Sequence, residues 1–313
     1  MPAEGSGWSR PPHPTRAATR ATGTGSPHHD GPISDPSLTK ADERRHPPTD
    51  HPHWEEWWYF DFVADDHGLG GFARLGLRGG RAWWWTAITA RERPLVVVRD
   101  HDVDPPRGGT LEIRAAGLWA EPVCETPFDH WSLGLEAMAV ALDDPTEAYA
   151  GERGDPVPLG LDLEWEASSS PLLTPERHSY GQPCHVHGEV LVGRERIPIT
   201  GLGIREHGWG PVDWWGRTWS WAAGHLADGT PFGRGLEGRT VVDLDQEALV
   251  AGGRLGPTAR LHPVAHAPLQ IPGGPHARVS RLARAVCRVV TEEGRTGWGW
   301  AERLQPASRT TGL

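Results

Sequence analysis

The 313-residue chain is poor in several residue types that would announce a function. Its three cysteines, Cys124, Cys184 and Cys287, are far apart and odd in number, and none forms a CxxC pair. That excludes a disulfide framework and a cysteine-based zinc site, and points to a reducing compartment, with the cytoplasm as the expected location. No apolar run approaches the ~18–20 residues that a membrane span needs. The opening MPAEGSGWSRPPHPTRAATR lacks the apolar stretch of a secretory signal. Neither an integral membrane segment nor an export signal is therefore expected. Lysine is nearly absent: Lys40 stands alone beside 30 arginines. The net charge is −10, and all of the excess lies in residues 51–313, with 25 basic and 35 acidic residues. An acidic body without a basic stripe excludes nucleic acid and anionic membrane surfaces as partners, because both demand cationic neutralisation. No Gly-rich loop leads from a strand into a helix to hold phosphate, and Ser168-Ser169-Ser170 has no nucleophile-elbow context.

Tryptophan is the residue in excess: 17 are present, against three tyrosines and five phenylalanines. Thirteen of them cluster at Trp54, Trp57 and Trp58; at Trp83, Trp84 and Trp85; at Trp209, Trp214, Trp215, Trp219 and Trp221; and at Trp298 and Trp300. An indole offers a large flat face and one N–H that wants a partner when buried. Two readings stay open. The indoles wall a pocket for a flat or elongated apolar ligand or a developing cation, or they fill a β-rich core.

The chain is long enough for one large or two ordinary domains. Residues 1–50 are Pro, Ser, Thr, Gly, His and Arg with little apolar content, and a disordered tail is expected, or an upstream start that does not belong to the folded protein. Its histidines, His13, His28, His29 and His46, with His51 and His53 just beyond, are potential metal ligands without fixed geometry in such a tail. From Trp54 onward the pattern is β. WEEWWYFDFV alternates Trp54, Glu56, Trp58, Phe60 and Phe62 on one side with Glu55, Trp57, Tyr59, Asp61 and Val63 on the other. Further strands are expected at 72–77, 82–89, 95–99, 110–114, 131–142, 159–166, 185–192, 197–204, 218–226, 232–237, 241–244, 285–291 and 297–304, punctuated by DDPT, GDP, ADG and EEG turns. The segment 279–288 is read as strand. Trp57-x-Tyr59, Asp66-His67-Gly68 and Phe72-Ala73-Arg74 are echoed by Trp219-x-Trp221, Asp228-Gly229 and Phe232-Gly233-Arg234, as expected for two copies of one β-module or for two unrelated aromatic hairpins.

The densest chemistry lies in Gly203–Trp221, GIREHGWGPVDWWGRTWSW, which sets Arg205, Glu206, His207, Asp213 and Arg217 among five tryptophans. Ionisable groups against large apolar faces are where pKa values move. In strand phase Arg205, His207 and Trp209 share a face. His207 is either a functional imidazole or a satisfied core histidine. Glu302 is in phase with Trp298 and Trp300; a carboxyl so placed, like Glu56, is a candidate acid or a brace for the hairpin arginines Arg74 and Arg234. Cys184-His185-Val186-His187 places two histidines on one strand face, without a third ligand at motif spacing.

Glu56-Trp57-Trp58-Tyr59, Glu206-His207-Gly208-Trp209-Gly210, Trp219-Ser220-Trp221, Asp228-Gly229 with Phe232-Gly233-Arg234, and Gly297-Trp298-Gly299-Trp300-Ala301-Glu302 together resemble the AttH/CrtC-like lipocalin-related superfamily, over residues 54–304. The resemblance implies an all-β protein of two tandem lipocalin-like antiparallel barrel or sandwich modules, here drawn as 51–175 and 176–313. It also implies the chemistry of carotenoid 1,2-hydratases (the hydroxyneurosporene synthase type) and fungal cyclases. In the hydratases the His and Trp of the H-x-W motif are functional, which maps to His207 and Trp209. This chain carries Glu206 where an Asp commonly precedes that His, and reads Pro231–Glu237 where the hydratases have further Tyr and Asp residues.

The expectation that follows is a cofactor-independent, metal-free lyase or isomerase acting on an apolar isoprenoid or polyketide. His207, Trp209, Glu302 and Glu56 would converge as the catalytic group. Trp57, Trp58, Tyr59 and Trp214 would form part of the ligand wall, with Trp219, Trp221, Arg234, Trp298 and Trp300 completing it. Such an enzyme needs an acid, aromatic faces for a tertiary cation, and a water. The rival is a non-catalytic carrier of a lipid or terpenoid, and a third reading makes the Trp clusters a protein interface. No oligomeric state follows from the sequence.

Overall fold

A computed structural model of the chain describes residues 38–64, 68–151, 153–174, 178–233, 248–250, 259–274 and 278–306. They belong to one compact unit, Leu38–Leu313. Eleven strands build the first sheet: β1 (Trp54–Ala64), β2 (Gly70–Arg78), β3 (Arg81–Thr89), β4 (Leu95–Val103), β5 (Ile113–Ala115), β6 (Leu118–Thr126), β7 (His130–Leu142), β8 (Asp155–Ala167), β9 (Leu172–Thr174), β10 (Ser179–Val192) and β11 (Glu195–Pro211). Their order is β4-β3-β2-β1-β11-β10-β8-β7-β6-β5, with β9 on β10. A further antiparallel pairing of β4 with β7 (Leu95↔Leu142 to Val97↔Val140) closes eight of the strands into a barrel. Closure removes the exposed edges that an open sheet would present.

The second sheet holds β12 (Trp219–Leu226), β13 (Pro231–Gly233), β14 (Ala248–Val250), β15 (Ala259–His266), β16 (Leu269–Gly274), β17 (Arg278–Thr291) and β18 (Thr296–Pro306), in the order β13-β12-β18-β17-β15-β14 with β16 on β17. The protein is thus all-β, with two antiparallel modules of lipocalin type. The segments expected at 232–237 and 241–244 lie largely outside the described residues, and β6, β9, β14, β15 and β16 were not anticipated. Among the described residues no helix is long and apolar enough to cross a membrane.

Three apolar cores follow from strand alternation. Trp58, Phe60, Phe62, Trp84, Trp131 and Trp165 fill the barrel. Tyr59, Phe72, Trp85, Trp214, Trp221 and Trp300 lie between the barrel wall and the second sheet. Leu226, Phe232, Leu261, Cys287 and Val289 lie on that sheet's far side. Strand β1 borders the first two cores, so both of its faces are buried and both Glu55 and Glu56 are withdrawn from water.

Two expectations need correction. The chain changes sheet between Pro211 and Trp219, not near residue 175, because β10 and β11 return to pair with β8 and β1 and complete the barrel. Residues 38–50 are not a disordered tail. A 3₁₀ turn, Lys40–Glu43, is braced by Asp42, whose carboxylate accepts from Thr39 N at 2.6 Å and Thr39 Oγ1 at 2.9 Å. It places Glu43 in the interior, 4% exposed. One buried charge pair anchors a segment whose apolar content could not. Residues 1–37, and with them His13, His28 and His29, lie outside the described residues.

Candidate functional site

The pairing of β1 with β11 sets Glu56 opposite Trp209, Trp58 opposite His207 and Phe60 opposite Arg205, while β10 sets Tyr180 opposite His207. All point into the barrel. His207 is fully buried and lies under the Trp58 indole, with centroids 4.6 Å apart and planes at 17°. Gly208 is required between His207 and Trp209, since a Cβ there would collide with the Trp57 ring on the outer face.

The segment before β1 supplies what the strands lack. Glu43 accepts from Arg205 Nη2 at 2.6 Å and Arg205 Nη1 at 3.2 Å, and from the Phe128 backbone N–H at 2.7 Å. Gln182 Oε1 takes another Arg205 bond at 2.5 Å. Three residues on, His46 stacks on Trp209, with centroids 3.6 Å apart and planes at 13°. The Glu56 Oε1 atom accepts from His46 N at 2.8 Å and lies 2.9 Å from His46 Nδ1 and 3.1 Å from His207 Nε2. Glu56 Oε2 is buried with no hydrogen-bond partner among the described residues. His46 also lines a cleft of ≈ 730 Å³, bounded by residues 43–47, 108–111 and 121–124 and by Trp131. The Trp131 indole N–H is likewise unpartnered.

Burial pushes the Glu56 carboxyl upward, but the bonds from His207 and His46 outweigh it and hold the group below its ordinary value. Burial holds the His207 imidazole below its usual value against the opposing pull of Glu56. The cluster is therefore an ionised carboxylate beside a neutral His207 that donates Nε2–H to it. Burial raises the Tyr180 phenol, whose hydroxyl lies 3.4 Å from His207 Nδ1.

Of the expected catalytic residues, Glu56, His207 and Trp209 meet here. Glu302 does not. It sits on the opposite face of β1, paired with Arg284, whose Nη2 donates to the Tyr59 hydroxyl at 2.6 Å. Tyr59 donates to Asp61 Oδ2 at 2.8 Å, and Ile204 N donates to Asp61 Oδ1 at 2.7 Å. Burial foremost lifts Asp61 from an ordinary 3.8 to about 7. The expected bracing by hairpin arginines is present with other partners. Glu55, not Glu56, takes Arg74 at 2.5 Å and Arg78 at 3.2 Å, and Glu302 takes Arg284; Arg234 lies outside the described residues.

The proposed ligand wall divides in the same way. Trp58 borders the His207 cluster, whereas Tyr59, Trp214, Trp221 and Trp300 are buried between barrel and second sheet, with Trp57, Trp219 and Trp298 packed against them. Trp214 Nε1 donates to Glu55 at 2.7 Å and Trp300 Nε1 to Phe62 O at 3.1 Å. These indoles join the modules, and strand parity decides it: on β1 Trp57 and Tyr59 alternate with the barrel-interior Trp58 and Phe60, and on β18 Trp300 alternates with Ala301, which faces the second sheet's far side.

Glu43, Asp42, Tyr180, Asp61 and Arg284 were not singled out from the sequence as site residues, and His46 was named only as a metal-capable side chain without fixed geometry. Thr39-x-x-Asp42 was the one local signal, a capping-type pair in an otherwise polar tract. Two sets among the described residues bring three metal-capable side chains together: half-buried His46 with buried Glu56 and His207, and the more exposed Glu164, Glu166 and His187. The second set includes one member of the His185/His187 strand pair.

The family described as "Domain of unknown function (DUF7064)" matches residues 39–239. The chain belongs to that family. The matched span opens at Thr39 and takes in the whole cluster, so the segment carrying Glu43 and His46 is part of the DUF7064 unit. No curated protein matches the chain. Among solved structures it is similar to an AttH candidate from Nitrosomonas europaea, at 13% identity and a TM-score of 0.50, over 87% of this chain and 98% of that one. Kievitone hydratase from Nectria haematococca overlaps at 9% identity and a TM-score of 0.48, over 88% of this chain and 94% of that one. At such identities the AttH likeness shows the fold alone.

Proposed function

We propose that the protein is a small-molecule enzyme of the hydratase or lyase class, in the AttH/CrtC-like superfamily. It adds water to, or removes it from, an alkene in an apolar isoprenoid or polyketide. The observation that carries this is Glu56: a carboxylate 1% exposed, with two imidazoles on one oxygen and nothing on the other. Burying a charge and leaving half of it unpaired is costly, and a purely structural brace gains nothing from it.

The substrate occupies the cleft, its apolar body against Leu111, Pro122 and Val123, and an oxygen accepts from the Trp131 indole N–H. His46, reaching both the cleft and Glu56, passes the proton, and the carboxylate holds its imidazole in one orientation and balances its charge. An anionic Glu56 takes a proton from water more readily than it gives one to an isolated double bond. That favours an alkene polarised by a conjugated carbonyl, and so the polyketide class over a simple isoprenoid.

The test begins with native mass spectrometry of protein purified from its host, followed by incubation of co-purifying apolar molecules and a panel of polyketide and terpenoid alkenes. Gain or loss of one water per molecule, abolished in Glu56→Gln and His46→Gln, supports the reading. An apolar ligand that binds, quenches Trp fluorescence and emerges unchanged makes the protein a carrier.

A further inference from the structure

The His46–Glu56–His207 cluster has a feature that proton transfer alone leaves unexplained: its donor atoms are arranged as a coordination face. His46 Nδ1, His207 Nε2 and a Glu56 carboxylate oxygen all lie within 4.8 Å of one another. The two nitrogens are 2.9 and 3.1 Å from Glu56 Oε1. Ligands ~2.0–2.1 Å from a tetrahedral zinc are separated from each other by about 3.3 Å, so small rotations bring these atoms into register.

Each ring also presents its other nitrogen to an oxygen. Asp42 Oδ1 lies 3.5 Å from His46 Nε2, and the Tyr180 hydroxyl 3.4 Å from His207 Nδ1. Metal-bound imidazoles are oriented in this way, by an acceptor or a polar group on the ring nitrogen that does not face the ion. Trp209 and Trp58 fix the two ring planes from outside. The second, independent sign is the other oxygen of the same carboxylate, Glu56 Oε2, buried without a hydrogen-bond partner among the described residues.

We propose that His46 Nδ1, Glu56 and His207 Nε2 form a binding site for a divalent first-row cation of the zinc type, open on the side of the cleft. Two imidazoles and one carboxylate suit zinc or its neighbours and offer too few oxygens for calcium or magnesium. Three protein ligands leave one position of a tetrahedron for water or substrate, and His46 lines the cleft that would supply either. The site departs from the metal-free enzyme expected from the sequence. It rests on the proposed function in so far as the ion would act on the same cleft.

The experiment uses the full chain, purified without a histidine tag and stripped with chelator. Zinc is titrated calorimetrically, and cobalt(II) is followed by its visible absorption. Expected are one tight equivalent and a tetrahedral cobalt spectrum, both lost in Glu56→Gln and in His46→Gln. Asp42→Asn, which removes no ligand, weakens binding by about tenfold. Joint replacement of Glu164 and His187 (Glu164→Gln, His187→Gln), or of His13, His28 and His29 by Gln, leaves the tight equivalent in place. Failure of the full chain to take up zinc, or a tight equivalent that survives Glu56→Gln, overturns the site. Water addition by a full chain that takes up no zinc overturns the site and leaves the proposed function standing. Stoichiometric zinc with no turnover of any alkene supports the site and removes the function.

Discussion

At the scale of single residues, the barrel interior and the outer wall of β1 use carboxylates in opposite ways. Glu55 spends both oxygens on Arg74, Arg78 and Trp214 and is a finished structural joint. Glu56, one residue on, keeps an oxygen unused. If His207 acts mainly in the transition state, His207→Ala removes turnover while ligand affinity, read from Trp quenching, stays within about tenfold, roughly 1.4 kcal/mol. A structural His207 gives another result: melting temperature and affinity fall together, by about 1–3 kcal/mol for the unsatisfied partner.

Asp61 supplies a pH-dependent prediction. Its folded value, about 7, lies above its ordinary 3.8, so the folded state binds more protons than the unfolded one between those limits. Its stabilising share is complete below about 4 and is lost as pH rises to about 7, with a slope of at most ~1.4 kcal/mol per pH unit. Denaturant titrations of wild type and Asp61→Asn across pH 4–8 should differ by that slope, the variant being the flatter. Parallel curves would mean that Asp61 does not titrate in this window.

Among elements, the segment 38–50 bears on both the barrel's buried charge and the site. It carries one end of the buried Glu43–Arg205 pair, the backbone oxygen of Asp42 at 3.4 Å from the Tyr180 hydroxyl, and His46 itself. Glu43→Ala leaves Arg205 charged and buried, which costs about 3–5 kcal/mol when no partner replaces the carboxylate. Unfolding by denaturant checks the magnitude. Limited proteolysis checks the location, since cleavage between Lys40 and Arg45 should accelerate in the variant well below its unfolding midpoint. Unchanged cleavage would show that the segment is held by its other contacts.

For the whole molecule, Arg284 of β17 reaches from the second sheet to Tyr59 of the barrel while pairing with Glu302, and its guanidinium lies 4.0 Å over the Phe72 ring. Arg284→Ala removes the guanidinium that both Glu302 and Tyr59 use and is expected to cost up to about 3–5 kcal/mol. If the two modules unfold as one, the single calorimetric transition shifts down intact. If it splits into two, the barrel and the second sheet are separately stable and Arg284 is the main coupling between them.

The sequence by itself determined the period of two along β1, β11 and β18, and hence which residues share a face. The grouping of Glu56 with Trp58, and of Arg205 with His207 and Trp209, was therefore legible, because strand alternation is a local property. So was the all-β class, from many short strands between Gly and Pro turns. Tertiary structure alone decided which face met what. Closure of β4 onto β7 turned one face of β1 into a barrel interior and left the other as the seat of the second sheet, which separated Glu302 from Glu56. The placement of Glu43 and His46 was beyond reach for a similar reason. A polar segment with no apolar stripe shows no periodicity, and its anchors, the Glu43–Arg205 pair across 162 positions and the contacts of His46 with Glu56 and Trp209, are tertiary contacts that no local pattern encodes.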